Sequence, residues 1–427
     1  MTIHYLPFKI TEKFPSSIVT DYDIFLYRVQ APSSYLTKSK HWIDRATLYS
    51  INQEVQNRTV EASPKMDQVY YPLLNFFYHI SLTANFFQLV KVKNKYRLQG
   101  TDIVAEYEQL NTTEKYFSLF EAFWVCTDWL DIFRECRYVA QSDIPQDDKF
   151  ITVLSDFPCD QEIGSGELIK RAKHYPQSAL VHIVRILSFF GILTYRLKSL
   201  TPKEQYTKGY IKLKSITVTP FGNRFLKLLD KDRPFTLWNT PFRYFTGYDY
   251  LKQDFAGDQF IPEGFVEPFR QMLTTSTVLE KGLPILKPKN LNGSFVFKIS
   301  IDGTWRTIST SGKSTLADLH LAIQIAYNFD NDHLYSFYFD PDRLSSRKSY
   351  HSPEGVEYPY ADDFSIGQLN LYVGQELLYV FDYGDLWKFS VEVIEITKEQ
   401  HFGNYKILQQ HGESPEQYLE FDDEGWD

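Results

Sequence analysis

Two separate stretches of this chain run through the same succession of signals, and that repetition limits the fold more than any other feature of the sequence. The first is Asn85-Phe-Phe-Gln-Leu-Val-Lys-Val-Lys-Asn, then Tyr96-Arg-Leu, then Gly100-Thr-Asp and an apolar-periodic stretch to Leu110. The second is Ser188-Phe-Phe-Gly-Ile-Leu-Thr-Tyr-Arg-Leu, then Ile211 to Thr219, then Pro220-Phe-Gly and on to Leu229. Each predicts a helix closing in Phe-Phe, a strand, a turn, a second strand and a final helix. The second copy is the sharper. Pro176 stands where an N1 proline belongs, and Leu180, Ile183, Val184 and Leu187 share one helical face. Gly191 supplies a left-handed residue to end that helix, and Thr219-Pro220 caps and opens the next.

Helix, β-hairpin and closing helix in this order resemble a winged-helix domain, with Asp160 to Lys173 supplying the earlier helices. Tandem modules over about 65–232 are therefore expected, the first near 65–112. A chain of 427 residues exceeds a single core, so several domains are expected. We divide it into a mostly helical 1–150 holding the first module, a second module in 151–245, a connecting helix and linker in 246–292, and a domain in 293–427. In the connecting region Pro268 reads as the N1 residue of a short helix running through Met272 and Leu273. The fold class is multidomain α+β, with a largely helical amino-terminal half. The 34 Phe and 30 Tyr must be mostly core, because a soluble protein cannot expose so many rings. Cys126, Cys136 and Cys159 are an odd number without CxxC spacing, which argues against a disulfide scaffold or zinc ribbon. No secretory signal opens the sequence and no apolar run reaches the roughly 20 residues of a membrane helix, so a soluble, cytoplasmic protein is expected.

Charge divides unevenly. Residues 151–245 hold 15 Lys and Arg against 7 Asp and Glu, a net of +8, whereas residues 293–427 hold 9 against 23, a net of -14. Lys198, Lys203, Lys208, Lys212, Lys214, Arg224 and Lys227 gather on the second hairpin and its closing helix, interleaved with Tyr195, Tyr206 and Tyr210. They are candidates for following a phosphate backbone. The competing expectations are a solvated hairpin protected from edge pairing, and docking of this basic segment on the acidic domain of the same chain.

In the last third, Ser294-Phe-Val-Phe-Lys-Ile-Ser-Ile places Phe295, Phe297, Ile299 and Ile301 on one face of a strand. Trp305-Arg-Thr-Ile-Ser follows across Asp302-Gly303, a hairpin signal. Thr315 and Asp318 make a capping box for a helix from Leu316 to Tyr327. A third strand is expected from Leu334, a short turn or helix at Ile366-Gly-Gln-Leu, and two further strands around Gly384-Asp385, with Gly384 taking the positive φ. The result is an α+β domain with a mostly antiparallel sheet. Thr315-Leu-Ala-Asp-Leu-His-Leu-Ala-Ile, His333-Leu-Tyr-Ser-Phe and Tyr379-Val-Phe-Asp-Tyr-Gly-Asp-Leu-Trp, with Trp305-Arg306 before them, resemble the plasmid pRiA4b ORF-3-like family in order and spacing over residues 294–398. The resemblance implies an association with mobile DNA and no settled activity. Two positions depart from it: Asp302-Gly303-Thr304 stands where the family usually has prolines, and Phe389 where it usually has a histidine.

Within that domain His320, His333, Asp382 and Asp385 are the candidates for a divalent metal or acid–base pair, as a phosphodiesterase-like reaction requires. The structural alternative makes His320 a packing residue and Asp382 the cap of a tight turn. Trp305, Arg306, Tyr383 and Trp387 are candidates for a partner surface, with both tryptophans equally readable as core. There is no GxxxxGKS/T, HExxH, GxSxG or paired CxxC, so no cofactor is expected. Gly164-Ser-Gly-Glu lacks the lysine of a phosphate loop, and no preceding strand is expected. The reading that emerges is a non-enzymatic bacterial accessory or regulatory protein associated with nucleic acid. A protein-interaction scaffold is the first alternative and a metal-dependent hydrolase the second.

Overall fold

The computed structural model describes residues 7–38, 40–93, 95–133, 149–173, 175, 177–200, 211–245, 264–275, 277–280, 282, 293–339, 349–357, 359–369, 371–399 and 403–418. Cys136, Pro176, Lys203, Tyr206, Lys208, Tyr210 and most of the 246–292 linker lie outside them. The chain forms two compact units, residues 1–88 with 92–243 and 248–286, and residues 287–427 with 89–91 and 244–247.

Along the chain, α1 (Ile18–Val29), α2 (Arg45–Glu54) and α3 (Pro72–Thr83) precede the hairpin of β1 (Phe87–Val92, of which residues 89–91 fall with the second unit) and β2 (Lys95–Gly100), which α4 (Asp102–Glu108) closes. Asp44 caps α2 by accepting the N–H groups of Ala46 and Thr47, and Thr101 caps α4 by accepting that of Ile103. The Leu36 N–H donates to the Tyr96 carbonyl at 2.8 Å, so an isolated extended residue edges β2. The helix before the first hairpin ends at Thr83, short of the Phe86-Phe87 pair expected to close it. Next come α5 (Thr112–Glu121), opened by an Asn111–Glu114 capping box, a π-helical turn at Ala122–Cys126 and α6 (Trp129–Phe133).

The second repeat follows as α7 (Lys149–Ser155), β3 (Glu162–Gly164), α8 (Ser165–Arg171), α9 (Gln177–Phe189), β4 (Leu193–Leu197), β5 (Leu213–Val218) and α10 (Pro220–Asp232), with the short helices α11 (Phe235–Trp238) and α12 (Thr240–Phe245) after it. Its sheet runs in the order β3-β5-β4, antiparallel throughout. Strand β3 was absent from the sequence expectation; three residues carry too little alternation to signal a strand. It stands directly before Gly164-Ser-Gly-Glu, so the case against a phosphate loop there rests on the missing lysine alone. Gly191 has φ +69° as expected. Gly222 fits because a Cβ there would lie 1.7 Å from the Ile192 carbonyl oxygen, which locks α10 against the start of the hairpin.

Aromatic rings fill this unit. Phe76 of α3 lies 6.2 Å from Phe189 and 5.9 Å from Phe190, and Phe120 lies 4.9 Å from Phe190 and 4.7 Å from Phe225. One core therefore serves both repeats. The three of these pairs that meet edge to face, Phe76–Phe190, Phe120–Phe190 and Phe120–Phe225, add about 0.5–1.5 kcal/mol each beyond their burial.

The second unit is a seven-stranded antiparallel sheet in the order β12-β7-β6-β11-β10-β8-β9. Its strands are β6 (Ser294–Ile301), β7 (Thr304–Ser311), β8 (Tyr335–Tyr338), β9 (Ser349–His351), β10 (Glu376–Phe381), β11 (Trp387–Thr397) and β12 (Tyr405–His411). The helix α13 (Leu316–Tyr327) has the expected bounds and capping box. Its Leu316, Leu319, Ile323 and Tyr327 pack into one core with Phe295, Phe297, Ile299, Tyr379 and Phe389. In the β10–β11 turn the left-handed residues are Asp382 (φ 54°) and Leu386 (φ 56°), not Gly384. Asp382 tolerates this because its Oδ1 accepts the Gly384 N–H at 2.8 Å, the Asx geometry that replaces a glycine.

Candidate functional site

The polar residues of the second unit occupy distinct settings. His320, midway along α13, is buried with its ring stacked 3.6 Å from that of Tyr335. The Gln324 side chain donates to the Tyr379 hydroxyl at 2.7 Å; because Asn331 Oδ1 on the other side of the ring can only accept, that hydroxyl donates to His320 Nδ1 at 2.6 Å. Nε2 then carries the proton and donates to Asn331 Oδ1, also at 2.6 Å. Burial pushes this imidazole down to about 4, against a weaker upward pull from Asn331 and Glu354. A neutral ring with both nitrogens engaged has no lone pair to offer an ion. Its packing role, the alternative foreseen from its helical position, accounts for every contact.

His333 is exposed, with Nε2 3.4 Å from Asp382 Oδ2 and 3.9 Å from Asp332 Oδ1. Asp382 is buried at 7% exposure and also receives the Asp385 N–H at 3.4 Å, so one carboxylate both caps the turn and faces the histidine. Asp385 itself is exposed. Among the described residues no group of three or more His, Cys, Asp or Glu is disposed to hold a metal ion.

A third histidine escaped the sequence reading. His351 on β9 has Nδ1 2.7 Å from Ser336 Oγ and 3.1 Å from Glu357 Oε2, and Nε2 3.0 Å from Ser349 Oγ. Ser336 Oγ in turn meets the Tyr383 hydroxyl at 2.5 Å. The signal available was Ser349-Tyr350-His351, whose alternation puts serine and histidine on one side of a strand. Both serines are buried, so the arrangement is a packed hydrogen-bond network and not an open nucleophile.

Of the four residues assigned to a partner surface, Arg306 points inward. It is 3% exposed, with its Nε donating to the Ala326 carbonyl at 2.9 Å, and Nη1 and Nη2 to the His411 carbonyl and Ser414 Oγ at 3.0 Å. It thereby satisfies an orphan carbonyl at the end of α13 and ties down the chain after β12. Trp305 is half-buried against His411 and Trp387 against Phe329, while Tyr383 is 45% exposed.

On the second repeat, Lys198, Lys214 and Lys227 are exposed and Lys212 is half-buried. The Lys198 N–H donates to the Lys212 carbonyl at 2.8 Å, which sets both at the base of the hairpin loop. Arg196, also exposed, adds a cation beside them and lies 3.5 Å from Glu162. Arg224 belongs to the packing instead: its Nη2 donates to the Gln271 carbonyl at 3.2 Å and its guanidinium lies 5.3 Å from the Phe8 ring centre. Helix α9, between β3 and the hairpin, has no exposed residue from 180 to 189. None of the described helices is long and apolar enough to cross a membrane.

No curated protein matches the chain. Among solved structures, a protein of unknown function from Methanosarcina mazei Go1 is similar at 21% identity and a TM-score of 0.25, over 29% of this chain and 71% of that one. Over residues 294–417, past the expected end at 398 and through β12, the carboxyl-terminal domain matches the family described as Plasmid pRiA4b ORF-3-like protein.

Proposed function

We propose that this is a non-enzymatic, nucleic-acid-associated accessory protein in which two winged-helix modules carry the pRiA4b ORF-3-like domain and the β4–β5 hairpin follows a phosphate backbone. The succession α7, β3, α8, α9, β4, β5 with sheet order β3-β5-β4 supports the winged-helix reading of the second repeat. The first repeat supports it with Leu36 in the place of β3, and on this reading its module spans 18–108 and not 65–112. A cytoplasmic setting belongs to the same proposal.

The observation that carries the nucleic-acid reading is the exposure of Arg196, Lys198 and Lys214 on one hairpin, in a segment with 15 cations against 7 anions. The burial of α9 shapes the mode of contact. Over residues 180–189 of α9 only His182, Arg185 and Ser188 are even partly exposed, so few side chains there reach base edges and affinity comes mainly from phosphates. Binding is then independent of sequence and steep in salt. Electrophoretic shift of a duplex at several salt concentrations, with Lys198→Gln/Lys214→Gln beside the parent, tests this; absence of a shift at low salt ends the reading. The same burial favours one second reading, a protein-interaction scaffold, because both α3 and α9 serve as packing elements.

A further inference from the structure

We infer that the first hairpin, together with the loop at residues 35–42, is a separate binding surface for single-stranded nucleic acid, on which unpaired bases stack beside a row of cations. The inference deepens the reading above and rests on it in taking nucleic acid as the ligand; the surface and the strand preference are new.

Residues 1–150 carry 16 Lys and Arg against 18 Asp and Glu, so a local excess of cations there is not a matter of background composition. Yet residues 85–100 hold Lys91, Lys93, Lys95 and Arg97, and residues 35–42 hold Lys38 and Lys40, with no Asp or Glu in either stretch. The fold joins the two stretches through the Leu36–Tyr96 hydrogen bond of 2.8 Å. Lys38, Lys40, Lys93 and Lys95 are exposed.

Aromatic rings are interleaved with these cations. Lys95 Nζ lies 4.4 Å, and the Arg97 guanidinium 5.7 Å, from the ring centre of Tyr35. His41 sits 4.1 Å from the ring of Tyr96, and Lys40 Nζ 4.1 Å from that of Trp42. Tyr35, His41 and Tyr96 are each half-buried, anchored but still reaching the surface. The loop is held by its own backbone, Thr37 N–H to the Trp42 carbonyl at 2.7 Å and His41 N–H to the Thr37 carbonyl at 3.0 Å, so the rings are positioned before any ligand arrives. Cations that track phosphates next to rings that accept base faces are the chemistry of single-strand recognition. A duplex, whose bases are stacked on one another, presents only its phosphates to such a surface.

The test uses the full chain and fluorescence anisotropy with two labelled probes, an oligothymidine of about 15 nucleotides and a blunt duplex of the same length. Lys95→Gln/Arg97→Gln is expected to weaken oligothymidine binding about tenfold and to flatten its salt slope by about 0.7 for each phosphate contact removed, with duplex binding changed less than about twofold. Tyr35→Leu, checked for unchanged melting, is expected to cost about fivefold on the single strand alone. If Lys95→Gln/Arg97→Gln leaves oligothymidine binding untouched while Lys198→Gln/Lys214→Gln weakens the duplex, this inference fails and the previous reading stands. If the reverse pattern appears, the single-strand surface stands and the second hairpin is not the duplex site. Equal losses on both probes with Lys95→Gln/Arg97→Gln overturn the strand preference. A polyglutamate competitor that displaces oligothymidine at equal charge concentration, with the same variants affected, overturns the nucleic-acid assignment in favour of an acidic protein.

Discussion

His320 and Glu121 are buried ionisable residues whose environments move them in opposite directions. For His320 the unfolded chain takes up a proton near 6.5, whereas the folded ring, desolvated beside Tyr335 and Tyr379, does so only near 4. The unfolded state therefore binds more protons between those values, and the stability this ring contributes is present above 6.5 and lost as pH falls toward 4. The second unit should lose about 1–3 kcal/mol over that interval from this residue, and urea midpoints of His320→Gln should fall less steeply with acid than those of the parent. A parallel fall would show that the imidazole is not the source. Glu121, at 8% exposure in the aromatic core, is pushed up to about 7 by burial, partly offset by Arg233. Here the folded state keeps a proton that the unfolded chain releases above 4.5, so the contribution is present below 4.5 and lost as pH rises through about 7. Glu121→Gln, uncharged at any pH, is expected to raise the melting temperature of the first unit at pH 8 relative to the parent; a lower value at pH 8 would mean that the carboxylate is needed in its charged form.

Elements that the sequence made legible share a property: their signals are local. The capping box of Thr315 and Asp318, the Asp302-Gly303 turn and the Thr219-Pro220 helix start are each decided by residues within one turn of one another. Strands β9 and β12 were hidden because a three-residue strand shows no period, and because Tyr405–His411 buries neither face fully. Arg306 was misplaced for a related reason. An arginine in a strand reads as exposed, and only the arrival of the α13 carboxyl end at that strand supplies the carbonyls that let it be buried. His333 and Asp382 do meet, but His320 is held elsewhere by Tyr379 and Asn331, partners far away in sequence or outside the motif. Phe389 takes the position where a family histidine was expected and is fully buried, 5.1 Å from the ring of Tyr327, so that position is core in this chain. Gly222 offers the cleanest test at this scale. Gly222→Ala drives a methyl into the Ile192 backbone and should destabilise by about 3 kcal/mol or more, seen as a loss of cooperative melting in the first unit. An unchanged melt would show that α10 does not press on the hairpin.

Across the whole molecule, charge separates more sharply than structure does: +8 over residues 151–245 and -14 over residues 293–427. Such a distribution favours a polyanion at the basic segment and disfavours one at the acidic domain, as the proposed function requires. On the proposed function, α3 and residues 180–189 of α9, none of them fully exposed, read few bases, and ionic contacts are the main source of affinity. Anisotropy of a labelled duplex titrated from about 50 to about 200 mM salt, a range that brackets physiological ionic strength, measures that source directly. The account predicts a log–log slope of about -2 to -4, reduced by about 1 to 2 in Lys198→Gln/Lys214→Gln. Binding that is independent of salt, or a slope the double substitution leaves unaltered, contradicts it.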